Sequence, residues 1–464
     1  MLLSFGCGSS KGPGEGGATG GSSATGGSTG TGGATATGGA TGTGGTTAGH
    51  ASVLQHHNDA ARDGLYVDSA MKVTGITMDT SLAGATYTSD KVYAQPLYLA
   101  GSGTTPDEVI VATEKNMVYA FNASTGAQVW TKPASLGTAV TSGLPCGNIA
   151  SGGDSLGITG TPVIDATSRT IYLDAMTADS AVTAKHMVHA INADTGAELP
   201  GWPVDLNAKA SSGGTRFSSV VQNQRAALAM VGGKLFVPFG GHAGDCQGYH
   251  GWIVGITTGP SPAVSAWATR AIAGGIWGSS GIASDGTSLF FATGNSKSSA
   301  SAGANSSSGD NGGSWGDGET VYKFPTSLTS PAPATTTDYF LPSNWVALDD
   351  ADNDMGGTSP MLVTVPGATP SNLVVALGKD DNAYLLNRAN LGGMDATPLA
   401  KLGAKRASRL MTIKTEAPRN PSSKSASATL RAIARRSAAG ASTRRRTRRG
   451  DRGSTRRAAC RAGR

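Results

Sequence analysis

The chain has 464 residues, 68 of them glycine, with 37 Lys and Arg against 31 Asp and Glu for a net charge of +6. That charge is unevenly placed: residues 403–464 hold 19 Lys and Arg, two acidic residues (Glu416 and Asp451) and no Phe, Tyr or Trp, a net of +17. Residues 1–402 carry 18 basic and 29 acidic side chains, which excludes basicity as a property of anything but the tail.

Taken in chain order, residues 1–7 are a short apolar stretch ending in Cys7, and residues 8–50 are a Gly, Ser, Thr and Ala tract with almost no charge. Such a tract cannot bury a core and is expected to be a flexible, disordered linker. An apolar stretch, a cysteine and a Gly/Ser tether have the layout of a bacterial lipoprotein, with Cys7 as the acylated residue; an unmodified cysteine is the other reading. No basic n-region precedes Cys7, and Ser4-Phe5-Gly6 departs from the usual pattern before the lipidated cysteine. A start codon assigned too far downstream accounts for both.

Residues 51–402 read as antiparallel sheet. Val109 to Ala112 is a β-branched run, Glu114-Lys115-Asn116 is a polar turn, and Met117 to Phe121 alternates with period two. Asn122 to Gly126 predicts a second turn, with Gly126 free to adopt positive φ, leading into a third short strand that ends at Trp130. The pattern returns around Ile191, where Asn192, Thr195, Gly196 and Trp202 repeat Asn122, Thr125, Gly126 and Trp130. Weaker copies follow near Ile253, Tyr322 and Tyr384, at steps of about 60 to 70 residues from a first hairpin at Tyr119. Near-constant spacing of four-stranded units, with almost no helical periodicity between them, predicts an all-β fold of propeller blades, about five of them visible.

The run Tyr119 to Trp130, YAFNASTGAQVW, resembles the blade repeat of the quinoprotein-like (pyrroloquinoline-quinone-type) β-propellers at every fixed position. HNDAARDG (His57 to Gly64), VYAQPLYL (Val92 to Leu99), GITGTPVID (Gly157 to Asp165), YHGWIVGI (Tyr249 to Ile256) and GKDDNAYLLNRANLGG (Gly378 to Gly393) are similar to a secreted bacterial subgroup of that superfamily. The resemblance implies seven or eight blades in an intact protein. It makes Tyr119, Asn122, Thr125, Gly126 and Trp130, with Asn192, Thr195, Gly196 and Trp202, the blade-docking motif. It also implies that a member with quinone chemistry holds its cofactor between a tryptophan and a disulfide of adjacent cysteines, beside a calcium ion.

No adjacent cysteines exist here: Cys7, Cys146, Cys246 and Cys460 are scattered. Cys146 and Cys246, each in a Gly-rich loop, are expected to form a disulfide in an exported protein. Buried free thiols, or a metal site with His242, Asp245, Cys246 and His250, are the alternatives, and the latter has no standard ligand spacing. His250 is expected to be a hydrogen-bonded histidine at a strand start, and His56 and His57 are given no role. Asp349, Asp350, Asp352 and Asp354 are spaced somewhat like a calcium loop, but glycine falls one position late and no Glu closes it. An acidic turn between blades is the expectation.

The Arg-rich residues 403–464 are either a disordered polybasic arm for a polyanion or membrane, or out-of-frame translation of GC-rich DNA; the loss of aromatics and strand pattern just past Leu402 favours the latter. An array cut at that point is expected to leave a blade face unclosed. No nucleophile elbow, phosphate loop or zinc-protease helix is present. The expectation is a non-catalytic propeller tethered to the cell envelope, without cofactor or metal, binding a protein or carbohydrate through the central funnel and the loops of one face. Trp277, Trp315 and Trp345 are its candidate ligand-face aromatics, with packing between blades as their other reading. A dehydrogenase of sugars or alcohols using pyrroloquinoline quinone and calcium is the alternative, and nucleic acid enters only if the basic tail is genuine.

Overall fold

The computed structural model describes residues 50–69, 90–130, 134–145, 154–243, 247–297 and 315–403. These fall in the compact unit Thr41–Arg464; the other unit, Met1–Ala40, lies outside the described residues, as do Cys7, Cys146, Cys246, Cys460 and the Arg-rich tail.

Among the described residues five sheets of four or five strands follow one another along the chain, besides a two-stranded hairpin of Ser211–Ser212 and Thr215–Arg216. Sheet 1 comprises Leu97–Leu99, Glu108–Ala112, Met117–Asn122 and Ala134–Ser135. Sheet 2 comprises Val163–Asp165, Thr170–Asp179, Thr183–Asn192 and Val204–Asp205. Sheet 3 has Gln222–Asn223 and Ala229–Val231 side by side against Lys234–Gly241, then Trp252–Thr257 and Val264–Ala268. Sheet 4 comprises Ala283–Ser284, Ser288–Ala292, Val321–Pro325 and Tyr339–Leu341, with Gly393–Met394 added in parallel. Sheet 5 comprises Met361–Thr364, Asn372–Leu377, Asn382–Asn387 and Ala400–Gly403.

Each sheet is a meander whose first strand lies innermost: Val163–Asp165, Ala229–Val231, Ala283–Ser284 and Met361–Thr364 adjoin one another in succession. Because side chains alternate across a strand, each internal sheet feeds two cores. In sheet 2, Ile171, Leu173 and Ala175 pack toward sheet 1, while Tyr172, Val188 and Ala190 pack toward sheet 3. Two further apolar cores join sheet 3 to sheet 4 and sheet 4 to sheet 5. This is the architecture of propeller blades, five of them among the described residues. Among those residues no strand pair joins sheet 5 to sheet 1. Tyr119 and Phe121, stacked at 5.8 Å on sheet 1, and Val375, Leu377 and Leu385 on sheet 5 lie outside the four inter-sheet cores.

The third strand expected to end at Trp130 is reduced to a single bridge, Phe121 with Gln128, and the fourth strand of the sheet is Ala134–Ser135. The ladder stops because Trp130 leaves the sheet to pack against its neighbour. The innermost edges are lined by residues 53–62 of the same chain, where the sequence reading placed an open funnel: Val53 pairs with Tyr98 of sheet 1, and the carbonyl of Ala61 accepts from Leu362 N of sheet 5. No helix of the described residues is long and apolar enough to cross a membrane.

Candidate functional site

The repeat residues operate as a plug and socket between consecutive sheets. The Asn122 Oδ1 accepts the N–H groups of Ser124 and Thr125, and Gly126, at φ 71°, donates its N–H to the Asn122 carbonyl at 2.8 Å. Asn192, Thr195 and Gly196 build the same turn on sheet 2, with Gly196 at φ 72°. Trp130 then drives its indole against that second turn, and Nε1 donates to the Ala193 carbonyl at 2.6 Å. A Cβ on Gly196 would lie 2.8 Å from the Trp130 ring, so glycine is required twice over, for φ and for space. Trp202 repeats the step onto sheet 3, donating to the Gly259 carbonyl at 2.9 Å.

The three candidate ligand-face tryptophans have packing partners. Trp345 lies in the core between sheets 3 and 4. Trp315 is partly buried, stacked on Tyr339 at 5.1 Å, with Nε1 donating to the Gly318 carbonyl and the Thr320 hydroxyl. Trp277 is 8% exposed; Gly240, Gly275 and Gly294 lie so close that a Cβ on any of them would meet its ring, Tyr249 meets its edge, and the Arg225 guanidinium sits 5.8 Å from its centroid.

The acidic run lies between sheets 4 and 5, where the sequence predicts an acidic turn joining two blades, but it begins on a short helix and is only partly solvated. Asp350 and Asp352 are exposed, but Asp349, at the end of the short helix Trp345–Asp350, and Asp354 turn inward and meet Glu319. The sequence spacing hid this because the helix ends at Asp350 and the chain turns again, through Asp352 at φ 55°, before Asp354, and Glu319 lies just before a different strand. Burial, and then the charge of Asp354, pushes the Glu319 carboxyl well above its usual range, and burial raises Asp349 to about 7. Burial raises Asp354 too, while the Lys379 ammonium in direct contact with it pulls the other way. With its amide assigned to satisfy its neighbours, Asn295 donates to Asp354 Oδ1 at 2.7 Å and Asp349 Oδ1 at 3.1 Å. Protons, one amide and one lysine thus neutralise the cluster from within.

Histidines fill structural posts. His250 Nδ1 lies 2.8 Å from the Thr269 carbonyl just before the strand Trp252–Thr257. His242 is buried beside the Val220 carbonyl, and burial followed by the His186 charge lowers it to about 4. Its proposed metal partners Asp245 and Cys246 lie outside the described residues. Sequence reasoning missed the buried pair His186 and Asp174, 2.6 Å apart on paired strands of sheet 2 and edged by Phe217 and Phe239. Polar residues at inward positions of apolar strands were the available signal. Among the described residues no group of three or more His, Cys, Asp or Glu is arranged to hold a metal.

An open cleft of about 580 Å³ lies instead where sheet 1 meets sheet 2. Among the described residues its walls carry Asp90, Lys91, Glu114, Lys115, Thr138 and Asp154. The sheets meet there through bridges from Ala139 to Thr177 and from Val140 to Leu156. Lys91 is in direct contact with Asp154, and Asp90 accepts the Lys115 N–H at 2.8 Å. Glu114 forms the deep wall, its Oε2 accepting from Gly157 N at 2.7 Å. Burial pushes its carboxyl up to about 7.

No family model and no curated protein matches the chain. Among solved structures, the fold is similar to a quinohemoprotein alcohol dehydrogenase from Pseudomonas putida (13% identity, TM-score 0.48, 76% of this chain) and to a europium-containing methanol dehydrogenase (13%, 0.46, 77%). It is also similar to BamB from Moraxella catarrhalis (12%, 0.28, covering 68% of this chain and 77% of that one). The chain spans 48% of the first and 58% of the second. At these values the assignment of the fold as a β-propeller rests on the sheet order and the inter-sheet cores above.

Proposed function

We propose that this protein is a non-catalytic binding propeller, held at the cell envelope through Cys7 and its Gly-rich linker, and that its ligand is a carbohydrate taken up at the cleft between sheets 1 and 2. The observation that carries this reading is the lining of that cleft: the Lys91–Asp154 ion pair and the mixed charges of Asp90, Glu114 and Lys115, flanked by hydroxyls of Ser135, Thr138, Thr141 and Ser155. Charges of both signs in one cleft favour no single ion, while hydroxyl, carboxylate and ammonium groups offer the mixed donors and acceptors that a neutral polyhydroxylated ligand uses. Each neutral hydrogen bond nets only about 0.5–1.5 kcal/mol, so these polar contacts alone give a modest affinity.

The quinone-dependent dehydrogenase alternative fits the residues poorly. The buried acids Glu319, Asp349 and Asp354 have the oxygen chemistry calcium prefers, but Lys379 and the Asn295 amide already engage them. Trp277, beside them, is wedged among glycines with 8% of its surface open, too little to floor a planar cofactor. We derive no chemistry through that group.

The test is titration calorimetry of the purified protein against a panel of neutral oligosaccharides, repeated with Lys115→Ala and Asp154→Ala. Binding to wild type that falls at least tenfold in both variants supports the reading. Absence of binding across the panel, or equal binding by the variants, overturns it. Mass spectrometry of the membrane fraction for a diacylated Cys7 tests the anchor separately.

A further inference from the structure

Residues 53–62 touch the innermost edge of every sheet. Val53 exchanges both backbone hydrogen bonds with Tyr98 of sheet 1, at 2.8 and 3.0 Å. The Leu54 carbonyl accepts from Ile164 N of sheet 2 at 2.8 Å. The Ala60 carbonyl accepts from Ser284 N of sheet 4 at 2.7 Å, and the Ala61 carbonyl accepts from Leu362 N of sheet 5 at 2.9 Å. Arg62 completes the set: Nη2 donates to Leu228 O at the head of sheet 3 (2.7 Å), Nε to Ile282 O at the head of sheet 4 (3.0 Å), and Nη1 back to His56 O (2.6 Å). Leu54 adds apolar contact with the core of sheets 1 and 2, and Ala61 with the core of sheets 4 and 5.

The segment earns this reach by a compact turn. His57, Asn58 and Arg62 adopt positive φ values of 56°, 73° and 60°, and the turn is closed by Asn58 N to Gln55 O and Arg62 N to Asp59 O. Arg62 is 2% exposed with its guanidinium spent on three carbonyls from three separate parts of the chain. Blades pack face to face through apolar cores, and among the described residues a few inner-edge groups pair directly from blade to blade, as Leu228 N does with Thr161 O at 3.0 Å, while residues 53–62 satisfy several of the others. A planar fork of five donors meets converging carbonyls in a way an ammonium cannot.

We propose that the inner edges of the five sheets form a peptide-binding channel, and that residues 53–62 are its resident ligand: an arginine-bearing turn that docks as a separable key. The channel recognises backbone through the unpaired edge groups of sheets 1, 2, 4 and 5, and recognises side chain through the carbonyls of Leu228 and Ile282. Its specificity is for a guanidinium at the end of a tight turn. A segment of another protein with that chemistry competes for the same channel.

The experiment uses the full chain with a protease site inserted between Ser69 and Asp90, cut after folding. The N-terminal piece is expected to stay with the disc through gel filtration, and to be displaced by excess of a labelled synthetic peptide spanning residues 50–66. The same peptide with Arg62→Gln is expected to displace it at least tenfold less effectively, and Arg62→Lys to fall between. Separation of the piece within the time of the column overturns the proposal, whether or not the disc stays folded. So does equal competition by the wild-type and Arg62→Gln peptides, which needs no variant disc to fold.

Discussion

The contact between Trp130 and Gly196 is the sharpest point at which the repeat can be tested. Trp130→Phe removes the donor to the Ala193 carbonyl and leaves that acceptor buried without it. A buried unsatisfied acceptor and the void left by the lost second ring together cost about 2–4 kcal/mol. Gly196→Ala fails differently: positive φ costs about 1–2 kcal/mol, and a Cβ at 2.8 Å from the Trp130 ring adds about 1–3 kcal/mol of overpacking. The atoms it strikes are Cδ2 and Cε3; phenylalanine keeps a ring carbon near the first but has none in the position of the second. The double variant is therefore expected to be less damaged than the sum by at least about 1 kcal/mol, because the smaller ring vacates the space the methyl needs. Urea denaturation followed by far-UV circular dichroism on the four proteins supplies the cycle. Additivity within about 0.5 kcal/mol refutes the plug-and-socket account, since independent sites add to that tolerance.

Further outcomes follow from buried charge. Asp317 accepts from Arg270 N, Nε and Nη2 and from the Tyr322 hydroxyl; Arg270 is half exposed and can be hydrated, so Asp317→Ala is expected to cost about 1–3 kcal/mol, chiefly by stranding the buried donors, while Tyr322→Phe costs about 1 kcal/mol; denaturation midpoints check both. Glu114 has a folded pKa raised to about 7 from 4.5, so the native state binds the extra proton between those values. Its contribution is present below about pH 4.5 and is lost as pH rises through 7. Glu114→Gln is therefore expected to gain on wild type by up to about 3 kcal/mol between pH 5 and pH 8, and parallel stability profiles would count against the burial argument. His56, lowered to about 3 by burial, titrates with the opposite sign: its stability is lost as pH falls from about 6.5 toward 3. His56→Phe is expected to flatten the acid limb of the same curve.

Most of the sheet architecture was legible because its signals are local. Alternation in Met117 to Phe121 and the Asn-x-x-Thr-Gly turns are written within a dozen residues, and they mark sheets 1 and 2 directly. What stayed hidden is set by long-range meetings. Asp349 and Asp354 read as an acidic turn between blades because nothing near them in sequence reveals Glu319, some 30 residues earlier, or Lys379, 25 residues later. His56 was given no role and Arg62 stood only within the segment His57 to Gly64, since the carbonyls that Arg62 reaches belong to residues 166 and 220 positions away. Trp277 was legible as an aromatic in a glycine-rich stretch, on a ligand face or packed between blades, and the structure packs it. The same glycines that suggest an open loop are what allow backbone to press against the indole.

These placements bear on where a ligand can go. A propeller offers its centre or its rim, and here the inner edges are taken by residues 53–62 while the deep polar cluster beside Trp277 is neutralised by its own lysine and amide. The cleft between sheets 1 and 2 is built from the opposite kind of chain: loop residues, half of them charged, joined across the two sheets by single bridges and not by a ladder. A binding surface of that construction can change residue by residue without disturbing the apolar cores between blades. Should the peptide channel exchange its key, the sheet edges freed would lie next to those same cores. Occupancy of the channel and stability of the disc are then thermodynamically linked, and a displacing peptide must raise the unfolding midpoint in proportion to the logarithm of its concentration.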